Sequence, residues 1–112
     1  MVVADVDGAA ARAAADRLGP SVRAASLDGR DGDAFAAPRS SIGWKPTTAL
    51  DVLVNNAGVG VAGPVEGLAP EHWRRSLDVN LGGVVHGVAA AYPRMRARGS
   101  GQIVNKGSSP RA

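Results

Sequence analysis

The residues best suited to chemistry lie where a short apolar run ends. From Asp51 to Gly58 the chain reads Asp-Val-Leu-Val-Asn-Asn-Ala-Gly. The apolar part is too short for a helix and lacks helical periodicity, so Asp51–Val54 is predicted to be a fully buried parallel strand. The two amides that follow need hydrogen-bond partners, and the Ala-Gly pair lets another group approach the backbone closely. The segment therefore predicts a polar site at the end of a buried strand.

Composition argues against several other kinds of site. The sequence has no Cys, which excludes disulfides, thiolate catalysis and Cys-ligated metals. Its two histidines, His72 and His86, lie far apart, and no metal site is expected. The net charge is +3, but the basic residues are scattered without aromatic interleaving. Arg94, Arg96 and Arg98 therefore indicate a solvated helix face, and neither nucleic acid nor a membrane is expected as a partner.

The length of 112 residues gives room for one domain with a modest core. No apolar run approaches the roughly 20 residues that span a bilayer. The first residues, Met1–Asp7, carry two acids and no basic leader. We therefore expect a soluble, cytoplasmic protein.

The elements that must position the polar site alternate between strand and helix. Val2–Ala4 is predicted to be a strand, Gly8–Leu18 a helix capped by Asp7, and Arg23–Leu27 a weaker strand. This β-α-β order is the repeating unit of a parallel sheet.

The second half of the chain continues the alternation. A helix is predicted from Pro70 to Gly99, with a bend near Asn80–Gly83, and a strand at Gly101–Asn105. Between the two halves, residues 31–50 contain Pro38, Gly43 and Pro46, which interrupt helical periodicity. This segment is predicted to be a divergent loop or disordered, and mis-translated sequence is one explanation for it.

Two motifs together resemble the short-chain dehydrogenase/reductase family. The first is the Asn-Asn-Ala-Gly run that ends at Gly58. The second comprises Asp78–Gly83, Pro93–Met95 and Gly101–Asn105, which follow in the family's order and spacing. The resemblance implies an α/β fold, a partial Rossmann-like doubly wound parallel sheet. Residues 1–112 would be part of an NAD-binding domain, from its second to its fifth strand, without the first strand and the C-terminal part.

The resemblance implies an NAD-dependent oxidoreductase that transfers a hydride between nicotinamide and an alcohol or ketone. Asp5 matches the acid that bonds the ribose 2′-OH, which favours NAD over NADP; the alternative is that Asp5 only helps Asp7 to cap the helix. Asp28 matches an adenine-contacting acid, although the following glycine departs from the family pattern. The cofactor-binding positions are then Asp5, Asp28, Gly29, Asn56, Ala57 and Gly58.

A glycine run after the polar site matches a dinucleotide-binding fingerprint only in letters. Gly58–Gly63 fits G-x-G-x-x-G, and Asp78 follows at the expected distance. The fingerprint requires a helix to begin at the glycines. Here Pro64 intervenes and helical sequence begins only at Pro70. The glycines therefore predict a flexible loop beside the cofactor.

The resemblance also implies two catalytic positions, Asn80 and Ser108. Without the family, Asn80 fits a structural amide at a helix bend equally well, and Ser108 fits an ordinary loop residue. The family's Tyr-x-x-x-Lys motif is absent, since Tyr92 is the only tyrosine and Arg96 follows it four residues later. General acid/base catalysis needs a group with a tuned pKa within reach of the reacting proton. The chain alone is therefore predicted to be inactive.

The missing first strand would lie between Val2–Ala4 and Asp51–Val54. Buried backbone groups there would lack partners, so weak folding and no measurable NAD affinity are expected of the isolated chain. The intact relative is expected to be a homo-oligomer joined through the helix Asn80–Arg98. The alternative function is a non-catalytic fragment that assembles with a full-length homologue through Val84, Val88 and Ala91.

Overall fold

The structure is a computed structural model that describes residues 1–35, 49–60 and 63–106. The elements in chain order are β1 (Val2–Asp5), α1 (Gly8–Leu18), β2 (Arg23–Ser26), a 3-10 turn (Gly32–Ala34), β3 (Val52–Asn55), a second 3-10 turn (Val65–Gly67), α2 (Pro70–Leu77), a π-helical segment (Asp78–Gly82), α3 (Gly83–Arg98) and β4 (Gln102–Asn105).

The strands form two separate parallel pairs. β1 pairs with β2, which places Asp5 opposite Ser26. β3 pairs with β4, which places Asn55 opposite Asn105. Within the described ranges, β1 and β3 are not hydrogen-bonded to each other. The predicted parallel α/β architecture is confirmed, with polar residues at the carboxyl ends of both pairs.

Helix α1 begins and ends where the sequence predicts. An Asp7 carboxylate oxygen accepts the backbone N–H groups of Ala9 at 3.0 Å and Ala10 at 3.2 Å, which satisfies donors that the first turn leaves free. Gly19, at φ 128°, ends the helix. Because Ala11 and Ala15 are its buried residues, the helix packs closely on the first strand pair.

The long helical segment from Pro70 is continuous but changes its winding midway. His72 Nδ1 accepts the Ala69 N–H at 3.0 Å, which caps the start of α2. Where the sequence predicts a bend, the structure has a π-helical segment, a form that often marks functional positions. Gly99 ends α3 in the left-handed conformation, at φ 74°, where glycine has no steric penalty.

The core lies between α3 and the second strand pair. Phe35, Ala91 and Met95 are buried, and the partly buried side chains around them are Leu27, Leu50, Leu53, Ala90 and Ile103. Phe35 directly follows the 3-10 turn, so the start of the segment predicted to be irregular contributes to the core. The rest of that prediction, residues 36–48, lies outside the described residues.

The prediction that the Asp51–Val54 strand is fully buried is wrong. Val52 and Val54 are 51% and 56% exposed. Leu53 packs toward α3, and the other face of β3 carries the two exposed valines. The description of this strand as parallel is correct, but among the described residues no helix covers the face of Val52 and Val54, whereas parallel sheets usually have cover on both faces.

Helix α3 crosses β3 at a glycine. A Cβ at Gly87 would collide with Asn55 Oδ1 and lie 3.3 Å from Leu53 Cδ2. We expect Gly87→Ala to lower the free energy of unfolding by about 1–2 kcal/mol, because overpacking outweighs the gain in helix propensity. Urea unfolding measures the change. Gly82→Ala is the matched control, since its Cβ would meet nothing closer than 3.9 Å; equal effects at both positions would contradict the close crossing.

Candidate active site

The carboxyl ends of β3 and β4 are joined by their last side chains. Asn55 Nδ2 donates to Asn105 Oδ1 at 2.9 Å. Neither residue was among the predicted site positions, although Asn105 ends a predicted strand and Asn55 directly follows one. The bond uses the Asn55 amide for holding the two strands in register, and leaves Asn56 as the first amide beyond the sheet.

Asn80 ties the π-helical segment to the loop that follows β3. Its Oδ1 accepts the Val59 N–H at 2.8 Å, and its Nδ2 donates to the Val59 carbonyl at 2.9 Å and to Ser76 Oγ at 3.1 Å. Gly58 lies so near that a Cβ there would be 3.1 Å from Asn80 Oδ1. The structure therefore brings Asn80 and Gly58 together, and fixes the backbone path beyond Asn56 and Ala57.

The residues between the strand and this clamp are open to solvent. Asn56, Ala57 and Gly58 are all exposed. Small exposed residues at the carboxyl end of a parallel strand leave room for a flat ligand to lie against the backbone. The three predicted positions thus lie together, outside the sheet edge.

Asp5 ends β1 and is separate from the helix cap. It accepts the Asp7 N–H at 2.9 Å, whereas Asp7 itself caps α1. The Asp5 side chain is exposed at the carboxyl end of its strand. Its carboxylate is placed to accept a hydrogen bond from a hydroxyl and to repel a phosphate.

Asp28 follows β2 and forms an ion pair with Arg30. Arg30 Nη2 lies 2.7 Å from Asp28 Oδ2, and Arg30 Nε lies 3.0 Å from Oδ1. These charge-assisted bonds, with one from the Arg30 backbone N–H, lower the pKa of Asp28 to about 2. The carboxylate therefore stays ionised and holds the turn after β2 in a tight conformation.

Removal of the Arg30 charge is expected to raise the pKa of Asp28 from about 2 toward its usual 3.8. Because the folded pKa lies below the unfolded one, the pair stabilises the folded state above about pH 4, and this contribution is lost as the pH falls through 2. A carboxyl NMR titration of Arg30→Gln measures the shift. Arg17→Gln removes an equal charge from α1; an unchanged Asp28 pKa in Arg30→Gln would contradict the ion pair.

The turn after β2 also contacts α3. His86 Nδ1 lies 2.7 Å from the Gly29 carbonyl oxygen. Sequence reasoning missed this contact, because the two residues are far apart in the chain. In the described ranges, no cluster of three or more His, Asp or Glu side chains is suited to a metal ion.

Three further sequence interpretations concern the glycine run, the Tyr92–Arg96 pair and Ser108. Helix α2 begins only at Pro70, and the described glycines of this run, Gly58, Gly60 and Gly63, lie outside helices. Tyr92 and Arg96 line a groove beside Gly101, at the start of β4, and so lie at the end opposite Asn105. Ser108 lies outside the described residues.

The short chain dehydrogenase family model matches residues 1–110. The chain belongs to the short-chain dehydrogenase family. It is 41% identical over 99 residues to human 17-beta-hydroxysteroid dehydrogenase type 1, which covers 88% of this chain and 29% of the relative. It is 34% identical over 110 residues to galactitol 2-dehydrogenase of Agrobacterium fabrum, which covers 96% of this chain and 42% of the relative.

Solved short-chain dehydrogenases share the fold. A 3-oxoacyl-[acyl-carrier protein] reductase from Brucella melitensis with bound NAD has a TM-score of 0.79 and 32% identity, over 96% of this chain and 43% of that chain. Serine dehydrogenase from Escherichia coli has a TM-score of 0.77 and 28% identity, over 99% of this chain and 53% of that chain. The Rossmann-type fold is confirmed, and the chain spans less than half the length of the two curated relatives.

In the part of the chain that the structure describes, no helix has the length and apolar character needed to cross a membrane.

Proposed function

We propose that residues 1–112 supply the adenosine-binding edge and part of the catalytic site of an NAD-dependent oxidoreductase, which transfers a hydride between nicotinamide and an alcohol or ketone. We call the complete enzyme that contains this chain the parent enzyme. The observation that carries the proposal is the clamp of Asn80 on Val59 beside the open Asn56–Gly58 segment. Ligands of open α/β sheets bind outside the carboxyl ends of the strands, where this segment lies.

The donor and acceptor groups at this edge fit an adenosine half with a free ribose hydroxyl. The exposed carboxylate of Asp5 accepts the ribose 2′-OH, and it disfavours the 2′-phosphate of NADP. Asp28 and Gly29 face the adenine, with the Asp28 carboxylate kept ionised by Arg30. Asn56, Ala57 and Gly58 lie under the dinucleotide. Solved relatives include both an NAD complex and an NADP+ complex, so the choice of NAD rests on Asp5.

The bound nicotinamide supplies the hydride acceptor or donor. Asn80 fixes the loop against which the cofactor lies, and Ser108 is assigned to the substrate oxygen. The chain contains no Tyr-x-x-x-Lys sequence. A general acid/base from elsewhere in the parent enzyme is therefore required, and residues 1–112 alone are inactive.

Calorimetric titration tests this function. The parent enzyme is expected to bind NAD more tightly than NADP and to oxidise an alcohol with it. Chain 1–112 alone is expected neither to bind NAD measurably nor to oxidise an alcohol. An absence of NAD and NADP binding by the parent enzyme would overturn the proposal.

The parent enzyme is further proposed to be a homo-oligomer, joined through an apolar stripe that runs from α2 across the π-helical segment to α3. The stripe is formed by side chains four residues apart, each 49–60% exposed: Trp73, Leu77, Leu81 and Val85. Such spacing forms one continuous helix face, which suits contact with the same face of a second copy. Ala91, by contrast, is fully buried against the sheet, which argues against the alternative assembly through Val84, Val88 and Ala91.

A charge in the stripe is expected to dissociate the oligomer. Leu81→Arg places a guanidinium at the centre of the proposed interface, and sedimentation velocity of the parent enzyme should then show monomers. Val65→Arg is the control, because Val65 is 69% exposed and lies outside the stripe. An unchanged oligomer in Leu81→Arg would contradict this interface.

A further inference from the structure

His86 makes a hydrogen bond that has no assigned role in the proposed reaction. Its Nδ1 lies 2.7 Å from the Gly29 carbonyl oxygen, across 57 residues of sequence, and the ring is partly buried. A carbonyl oxygen can only accept, so Nδ1 carries the hydrogen. The bond connects α3 to the turn that follows β2, and thereby joins the two strand pairs.

The backbone around this bond is shaped for close approach. A Cβ at Gly29 would lie 3.4 Å from Gly83 Cα, and a Cβ at Gly32 would lie 3.2 Å from His86 Cδ2. The ring centroids of Phe35 and His86 are 6.3 Å apart with a 51° tilt. The imidazole therefore lies against the turn on one side and near the buried Phe35 ring on another, in the orientation that brings Nδ1 to the Gly29 carbonyl.

The turn that His86 holds carries the groups assigned to adenine. Asp28 is fixed at its side chain by Arg30, and Gly29 is fixed at its carbonyl by His86. With the carbonyl anchored on α3, the orientation of the Gly29 peptide and of the neighbouring carboxylate is set before any ligand binds. Preorganisation of this kind reduces the loss of conformational entropy on ligand binding.

We infer that His86 is a positioning residue that holds the Asp28–Gly29 turn for the adenosine half of the dinucleotide. The inference rests on the proposed function and deepens it, because it assigns the recognition of adenosine to a residue on α3. A residue with this role affects ligands that contain adenosine, and it leaves nicotinamide mononucleotide and the chemical step unaffected.

The test compares His86→Phe, His86→Ala and His86→Asn in the parent enzyme. His86→Phe keeps an aromatic ring without the donor, whereas His86→Asn keeps a donor in the place of Nδ1. Calorimetry with ADP-ribose and with nicotinamide mononucleotide separates the two halves of the cofactor. We expect His86→Phe and His86→Ala to lose about tenfold in affinity for ADP-ribose, with nicotinamide mononucleotide unchanged. His86→Asn is expected to stay within about threefold of the wild type.

Steady-state kinetics give an independent measurement. The KM for NAD is expected to rise about tenfold in His86→Phe while kcat is retained, because only binding of the adenosine half is weakened. A merely structural role would lower the melting temperature and kcat together.

The possible outcomes separate the inference from the proposed function. Wild-type affinity for ADP-ribose in His86→Phe, or equal weakening toward both probes, would overturn the inference while leaving the proposed function intact. If His86→Phe does not fold, the ADP-ribose affinities of His86→Ala and His86→Asn test the inference in the same way. If those two variants also do not fold, His86 has only a structural role and the inference is overturned. A wild-type parent enzyme that binds neither NAD nor ADP-ribose would overturn both.

Discussion

Replacing Asn80 by Ala is expected to lower kcat of the parent enzyme by about 100-fold, the effect of misplacing a reactant by roughly 1 Å. The substitution removes both hydrogen bonds to the backbone of Val59. The loop after β3 then loses its attachment to the π-helical segment, and the cofactor loses a fixed surface. Stopped-flow measurement of hydride transfer tests the change at saturating cofactor.

Two further variants separate the bonds that Asn80 makes. Asn80→Asp keeps an acceptor for the Val59 N–H but opposes the Val59 carbonyl, so it is expected to rescue little activity. Ser76→Ala removes only the bond between Asn80 and Ser76, which is 3.1 Å long, and is expected to stay near wild type. Full activity in Asn80→Ala would show that the clamp on Val59 has no role in catalysis.

The second large effect is expected at Asp5. Asp5→Asn removes a charge and keeps an acceptor for the Asp7 N–H. Because like charges brought together cost about 2 kcal/mol or more, the preference for NAD over NADP is expected to fall by roughly 30-fold, chiefly through tighter binding of NADP. The measurement is the ratio of kcat/KM values for the two cofactors.

Asp7→Asn is the matched control for this experiment. It removes the same charge two residues away, and Asn caps a helix as well as Asp does. The ratio of cofactor preferences is therefore expected to change little in Asp7→Asn. An equal change in both variants would indicate a general charge effect, and would remove Asp5 as the residue that selects the cofactor.

The elements of the fold could be predicted from local signals. Helix α1 has the predicted bounds because Asp7 and the Gly19-Pro20 pair mark its two ends. Residues that form helices poorly predict an irregularity near Asn80–Gly83, and the helix has a π-helical segment over Asp78–Gly82. The strands differ from prediction by about one residue at their ends, where assignments are least certain.

The contacts between elements could not be read from local sequence. Asn55 with Asn105, and Gly29 with His86, join residues 50 and 57 positions apart. Their partners depend on how the helices cross the strands, and no local pattern gives that crossing. One usable signal was present, since Gly83 and Gly87 lie one helical turn apart and mark a face of α3 that packs closely, against the Gly29 backbone and against side chains of β3.

The exposure of β3 shows a second limit of sequence patterns. A continuous apolar run predicts a strand covered on both faces, but the pattern carries no information on which elements supply the cover. Among the described residues, α3 covers the face of Leu53 and leaves Val52 and Val54 in contact with solvent. The apolar residues correctly predicted a strand. They did not predict that, among the described residues, only one face of that strand is covered.

The most direct test of the account is the crystal structure of the parent enzyme with NAD. We predict that the ribose 2′-OH lies within hydrogen-bond distance of the Asp5 carboxylate, with the adenine beside Asp28 and Gly29 and the dinucleotide over Asn56–Gly58. Adenosine bound at any other edge of the sheet, with Asp5 facing only solvent, would contradict it.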